Sequence, residues 1–290
     1  MKSSDLNQKI FALFLLFVAY SVSSQTLDRS VFVKKINQEV FLDGKLEEAF
    51  WQEANSADNF WQLFPTDSLK STNKTEVKLV YSDTHLYIGI EAYGVDENFI
   101  VSSLKRDFSA RTNDNVTVLF DTFRDGQNAF LFGVSAYGVQ REGLISERGA
   151  AINGFSLTWD TKWQSECVRH KDRFVIEMAI PFSSIKYPEG SKKWGFQTYR
   201  YDLQSNERSI WTNVDQNQIP INIGYYGSLI FEAPLAKSKT PIYLIPYVNG
   251  IVSTDFNEDP TSQKVSIGGD LKIPIANSLN LDVTLNPDFS

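Results

Sequence analysis

From Thr75 onward apolar and polar positions alternate with a period of two. Val77, Leu79 and Tyr81 alternate with Glu76, Lys78 and Val80. Leu86, Ile88, Ile90 and Ala92 alternate with Tyr87, Gly89, Glu91 and Tyr93. The short polar run Ser82-Asp83-Thr84 separates them, so the pair predicts a β-hairpin. Further alternating runs predict strands over 116–121, 129–136, 161–169, 173–180, 195–202 and 227–232. Ahead of the hairpin, residues 25–37 read as an extended lead-in. Residues 43–54 read as a short amphipathic helix with Asp43 as its cap and Leu46, Phe50 and Trp51 on one face. Many short strands and few helices predict an all-β fold, an antiparallel β-sandwich with one face of each strand in the core.

The pattern also divides the chain. Lys2 and Lys9 precede an apolar run over 10–19, and small residues follow up to Ser24. A basic start, an apolar stretch of about ten residues and a small-residue end describe a secretory signal peptide over 1–24. The run falls short of the ~20 apolar residues of a membrane-spanning helix. Pro234 and Pro241 bound a basic, apolar-poor stretch, 233–241, that reads as a linker after a sandwich over 38–232. Beyond it, alternating strands over 242–251, 263–274 and 278–286 have nothing to cover them. They read either as strands folded back on the sandwich or as the start of a truncated β-barrel.

Composition narrows the chemistry. The formal charge is −7, with no clustered Lys and Arg, which argues against a nucleic-acid partner. One cysteine, Cys167, excludes an internal disulfide framework, and two histidines, His85 and His170, leave little for a zinc site. No nucleophile elbow, zinc-protease helix or phosphate loop is present. Glu177, alternating with Val175 and Ala179, reads as a buried structural glutamate. Met178 and His170 are sparse material for a haem site.

Several motifs in order resemble carbohydrate-binding module family 9. They are Leu42-Asp-Gly-Lys-Leu-Glu-Glu-Ala-Phe-Trp51, Val80-Tyr-Ser-Asp-Thr-His-Leu-Tyr-Ile-Gly-Ile90, Asn113-Asp-Asn-Val-Thr-Val-Leu-Phe-Asp121 and Phe174-Val-Ile-Glu-Met-Ala-Ile-Pro-Phe182, with Trp194-Gly-Phe and Tyr226-Gly-Ser-Leu closing. Ile245-Pro-Tyr247, Gly269-Asp-Leu-Lys-Ile273 and Leu281-Asp-Val-Thr-Leu-Asn-Pro-Asp-Phe289 resemble the start of the barrel that follows such a module in exported outer-membrane proteins. The resemblance implies a β-sandwich that binds a polysaccharide or oligosaccharide without catalysis, in the periplasm or outer membrane of a Gram-negative cell. Its service would be to polysaccharide catabolism. Two other functions stay open: a periplasmic plug or assembly domain of a barrel without sugar binding, and part of a glycoside hydrolase. Family members that hold sugar clamp it between two tryptophans. Arg111 and a position near Pro220 stand at those places here.

Sugar recognition pairs aromatic faces with hydroxyl-binding polar groups. Trp159 and Trp163, four residues apart after a Gly-rich loop, read either as a platform or as rim residues of the core. Trp51 and Trp194 read as core residues; Trp211 is open. Arg106, Asp107, Arg111, Arg200 and Glu207 are the polar candidates for ligand binding. Asp114, Asp121, Asp125 and Asn128 crowd the loops around two adjacent strands and offer hard oxygen ligands for a structural Ca²⁺, or serve as solvated turn residues.

Overall fold

A computed structural model of the chain describes residues 29–151, 154–237, 243–253, 262–276 and 279–286. The signal-peptide reading falls outside these residues, as do part of the linker and the final Pro-Asp-Phe. In chain order the elements are β1 (Ser30–Lys35), α1 (Ala49–Glu53), β2 (Ser56–Ala57), β3 (Trp61–Phe64), β4 (Thr75–Tyr81), β5 (His85–Tyr93), β6 (Asn115–Asp121), β7 (Ala129–Ser135), β8 (Gln140–Ile145), β9 (Phe155–Ser156), β10 (Gln164–Arg169), β11 (Arg173–Pro181), β12 (Lys193–Asp202), β13 (Glu207–Ile210), β14 (Gly227–Phe231), β15 (Tyr243–Ser253), β16 (Ser262–Ala276) and β17 (Leu279–Leu285).

The strands to β14 form one curled mixed sheet with the path β10-β11-β5-β4-β1-β14-β12-β6-β7-β8-β9. The curl folds it into two layers, and β1 is the seam. Its first half, Ser30–Val33, pairs with β14, and Lys34 and Lys35 pair with Val80 and Tyr81 of β4. Both pairings are parallel, so the sandwich departs from the fully antiparallel expectation at this one strand. Alternation in the lead-in marks Val31 and Val33 as inward but carries no information about strand direction.

The two inner faces meet in an apolar core. Val116, Val118, Phe120, Phe132, Val134 and Phe196 face Val77, Leu79, Ile88, Ile90, Ile176 and Met178. Trp194 is fully buried, with Phe231 at 4.8 Å and Tyr187 at 5.4 Å between ring centroids. Both outer faces are covered too, which is why β6 is buried at every position. Ala110, Ile221 and Ile223 lie over Leu119, Leu131 and Tyr199 on one layer. Phe50 and Trp51 of α1 lie over Val80, Tyr87 and Ala179 on the other.

Helix α1 is shorter than its pattern predicts, and Asp43 does not cap it; the capping position is Glu48, without a side-chain cap. Glu177 explains this. Its Oε2 accepts the Asp43 and Gly44 N–H groups at 2.9 Å each, and its Oε1 accepts the Trp51 indole N–H at 3.2 Å. The carboxylate therefore holds 43–44 as a turn, with Gly44 at φ +76°, a region that favours glycine. Burial pushes the Glu177 pKa up despite these donors.

Strands β15, β16 and β17 form a separate antiparallel sheet. The registers Leu244↔Leu271, Val248↔Ile267 and Leu271↔Val283 align one apolar face. Leu244, Val248, Val265, Ile267 and Leu285 on it are each at least 67% exposed. The other face takes Asn249, Ser266, Asp270, Lys272, Asp282 and Thr284 by the same registers.

Candidate functional site

The candidate site begins with segment 106–112, which runs beside β8. Asp107, at φ +59°, donates its N–H to the Gln140 carbonyl at 3.1 Å, and its Oδ1 accepts the Glu142 N–H at 3.3 Å. This pins the segment to the strand edge and turns its side chains to different places. Arg106 donates to Gln140 Oε1 at 2.6 Å and to Glu142 Oε1, and lies 3.7 Å from Asp160 Oδ1. Burial pushes the Glu142 pKa up, Arg106 pulls it down, and the neighbouring Asp160 carboxyl adds to the rise. Arg106, Asp160, Lys162, His85 and Gln164 line an open cleft of about 690 Å³.

Phe108, two residues on, covers the outer face of the layer. Registers align Tyr199, Thr117, Gly133 and Arg141 as one row across that face, on β12, β6, β7 and β8. Arg141 is 4% exposed. Its guanidinium carbon lies 5.6 Å from the Phe108 ring centroid and 5.4 Å from that of Phe155. Its Nε and Nη1 are buried without a hydrogen-bond partner among the described residues. Leaving such donors unpaired costs about 1–3 kcal/mol, more for a charged group, so an orphaned buried guanidinium is a place where a ligand's oxygens would be bound strongly. Sequence reading missed Arg141. The run Gln140-Arg-Glu-Gly-Leu-Ile145 places two charges side by side and lacks a clean alternation, so β8 itself was not predicted.

Three tryptophan readings resolve into packing. Trp163 is 6% exposed, stacks edge-on at 5.3 Å against Phe132, and donates its indole N–H to Glu142 Oε2 at 3.3 Å. Trp159 is half-buried against Phe130 and Phe132. The two indoles share Phe132 and close the end of the core, so they form no exposed platform. The reason is local: the strand expected over 161–169 begins only at Gln164, so both indoles lie on the connection ahead of β10, where they fold back onto Phe132. Trp211 is 2% exposed, 5.3 Å from Phe196 and under the Arg29 guanidinium, hence a core residue.

Arg200 and Glu207 are also interior, which corrects their assignment to ligand contact. Arg200, 1% exposed, pairs with Asp202 at 3.2 Å and donates to the Lys74 carbonyl and Thr75 Oγ1. Burial lowers its pKa against the pull of Asp202. Glu207 accepts from Gln62 at 2.8 Å, Ser71 at 2.7 Å and the Thr72 N–H at 3.1 Å. Both tie the end of the sandwich together.

The four-residue calcium set is divided. Asp114 precedes β6 and Asp121 ends it. The Asp114 oxygens accept the Ile100 and Leu203 N–H groups at 2.5 and 2.6 Å, and burial raises its pKa. Asp125 accepts from Gln127 N–H, Asn128 N–H and the Asn128 amide within its own turn. Asp121 accepts the Gly126 N–H at 3.0 Å. The set does not fit one ion: a strand separates its members, and most of its oxygens are already engaged. Among the described residues, no group of three or more His, Cys, Asp or Glu is placed to hold a metal.

The geometry defines a two-layered β-sandwich with a polar row, centred on an unpaired arginine, on the outer face of one layer. Residues 42–232 match the family model "Carbohydrate family 9 binding domain-like", and the chain belongs to that family. Residues 239–290 match a second model, "Domain of unknown function (DUF5916)". A search of curated proteins found no match. Among solved structures, a putative carbohydrate-binding protein from Bacteroides uniformis is similar at 12% identity and a TM-score of 0.54, covering 70% of this chain and 99% of its own. A family 9 module from Caldicellulosiruptor kristjanssonii in complex with cellotriose is similar at 15% identity and a TM-score of 0.48, covering 73% and 98%. The same module with glucose gives 15%, 0.48, 71% and 96%.

Proposed function

We propose that the sandwich binds a saccharide without catalysis, on the outer face carried by β12, β6, β7 and β8, in service of polysaccharide breakdown by other proteins. Family membership supports the class of ligand. The observation that carries the site is the Arg141 guanidinium, buried between two aromatic rings with two donors unpaired. Such donors bind sugar oxygens where the covering rings turn aside; Phe155 is half-buried and Phe108 is buried at 3% exposure. Isothermal titration of the full chain against a glycan panel tests this. Arg141→Ala is expected to weaken binding at least tenfold. Undiminished affinity, or no binding of any glycan by the parent chain, overturns the reading.

The chain's place in the cell envelope belongs to the same proposal. Export is expected from the leader-like start. The β15–β17 sheet, apolar on one face and mixed on the other, where Ile245 and Tyr247 join Asn249, Ser266 and Asp270, has an alternation of the kind found in an outer-membrane barrel wall. Fractionation of expressing Gram-negative cells is expected to place the chain in outer membranes and resistant to alkaline carbonate. Recovery in the soluble fraction speaks against it and for a free periplasmic module.

A further inference from the structure

Along the same outer face, beyond Tyr199, lies Tyr201, with ring centroids 5.9 Å apart. Tyr201 opens onto a cavity of about 340 Å³ that Phe64, Arg111, Asn206, Glu207 and Arg208 also line. We infer that this cavity takes an anionic sugar residue, the carboxylate of a uronic acid, so that the bound saccharide is acidic. The inference rests on the proposed saccharide-binding reading and names its ligand class.

The charge arrangement carries it. The chain as a whole is at −7, yet this cavity presents two guanidinium groups and no available carboxylate. Arg111 is exposed on the single turn Ala110–Thr112, and Arg208 is half-buried with its guanidinium 5.2 Å from the Phe64 ring centroid. Neither forms an ion pair with a carboxylate among the described residues. The one acid lining the cavity, Glu207, is 3% exposed, and its two oxygens are taken by Gln62, Ser71 and the Thr72 N–H. Its oxygens are turned to those neutral donors and form no ion pair with Arg111 or Arg208 among the described residues, so its charge offsets theirs only through space.

Arginine is suited to this task because its planar fork meets both oxygens of a carboxylate. Phe64 and Tyr201 supply the apolar surface that a pyranose face needs. The volume sits near the lower end of the ~300–1,000 Å³ range of ligand pockets, which suits a single sugar unit.

The test is isothermal titration of the full chain with tetragalacturonate, a sulfated oligosaccharide of equal length and neutral cellotetraose. At 50 mM salt the uronate is expected to bind at least tenfold more tightly than the neutral sugar, with the gap shrinking at 500 mM as ion pairs are screened. The double variant Arg111→Gln, Arg208→Gln is expected to lose that preference, its uronate affinity falling to that for the neutral sugar; circular dichroism checks its fold. Arg111→Lys retains charge but loses the fork, so it is expected to keep only part of the preference. Equal binding of acidic and neutral sugars by the parent chain, a preference for the sulfated sugar, or a preference surviving the double variant overturns the inference and leaves the saccharide reading standing. Failure of all three sugars overturns the inference, and the glycan panel then decides the saccharide reading.

Discussion

Replacing Arg200 by alanine lowers folding stability by about 3–5 kcal/mol, because it strands buried carboxylates without their cation. Arg200 lies on β12 and reaches the start of β4 through Lys74 and Thr75, so it joins the two layers at one end. Asp202 sits 3.2 Å away at 2% exposure, and the charges of Asp114 and Glu207 also act on Arg200. The ion pair itself is not the source of the cost. Pairing two charges in the interior roughly repays their desolvation, whereas removing one leaves the other uncompensated. Urea denaturation of the full chain measures the loss. The double variant Arg200→Met, Asp202→Leu is expected to recover much of it. If the double variant is no more stable than Arg200→Ala, the loss comes from packing or from the Lys74 and Thr75 bonds instead.

Trp194→Ala has an effect of the same size, about 3–5 kcal/mol, from a different cause. The indole is fully buried amid Phe120, Phe182, Tyr187 and Phe231, with centroids 4.8 to 6.3 Å apart. Truncation empties that space at the centre of the core, and four rings on paired strands and a tight connection cannot all move in to fill it. Its indole N–H has no hydrogen-bond partner among the described residues, so Trp194→Phe forfeits volume alone and is expected to cost much less. Comparing the two by thermal or urea unfolding separates packing from polarity. Equal losses would mean that the indole N–H or its exact shape matters more than the volume.

The strands with clean alternation were legible. β4, β5, β6, β7, β11 and β12 lie close to where the pattern places them, because one face of each meets the core. Glu177 was legible as a buried glutamate for the same reason. β8, β13 and the direction of β1 were not. β8 carries Arg141 and Glu142 on opposite faces, one under aromatic rings and the other under Trp163, so its polarity does not alternate. The candidate site was half legible. Arg106, Asp107 and Arg111 were named, and they prove to sit on one segment that serves three places: the cleft, the strand edge and the cavity beside Tyr201. Arg200, Glu207 and Trp211 were named from residue type, but their roles depend on partners distant in sequence, such as Lys74, Gln62 and Phe196. Arg141 stands out only because two of its donors lack partners, and a missing partner leaves no mark in a linear pattern.

The seam strand also sets an order on assembly. β1 is made first, while its main partner β14 is made about 200 residues later, since Ser30 pairs with Ser228. Loops of that span are slow to close, and the contacts that reward closure come only at the end. As the chain emerges N-terminus first, the layers can hairpin together early, but the stretches of β1 and β12 that pair with β14 stay open until β14 arrives. Open edges of this kind invite pairing with other chains. A nascent copy therefore needs shielding until its Phe231 has emerged, and any premature stop before that residue yields an unsealed sandwich.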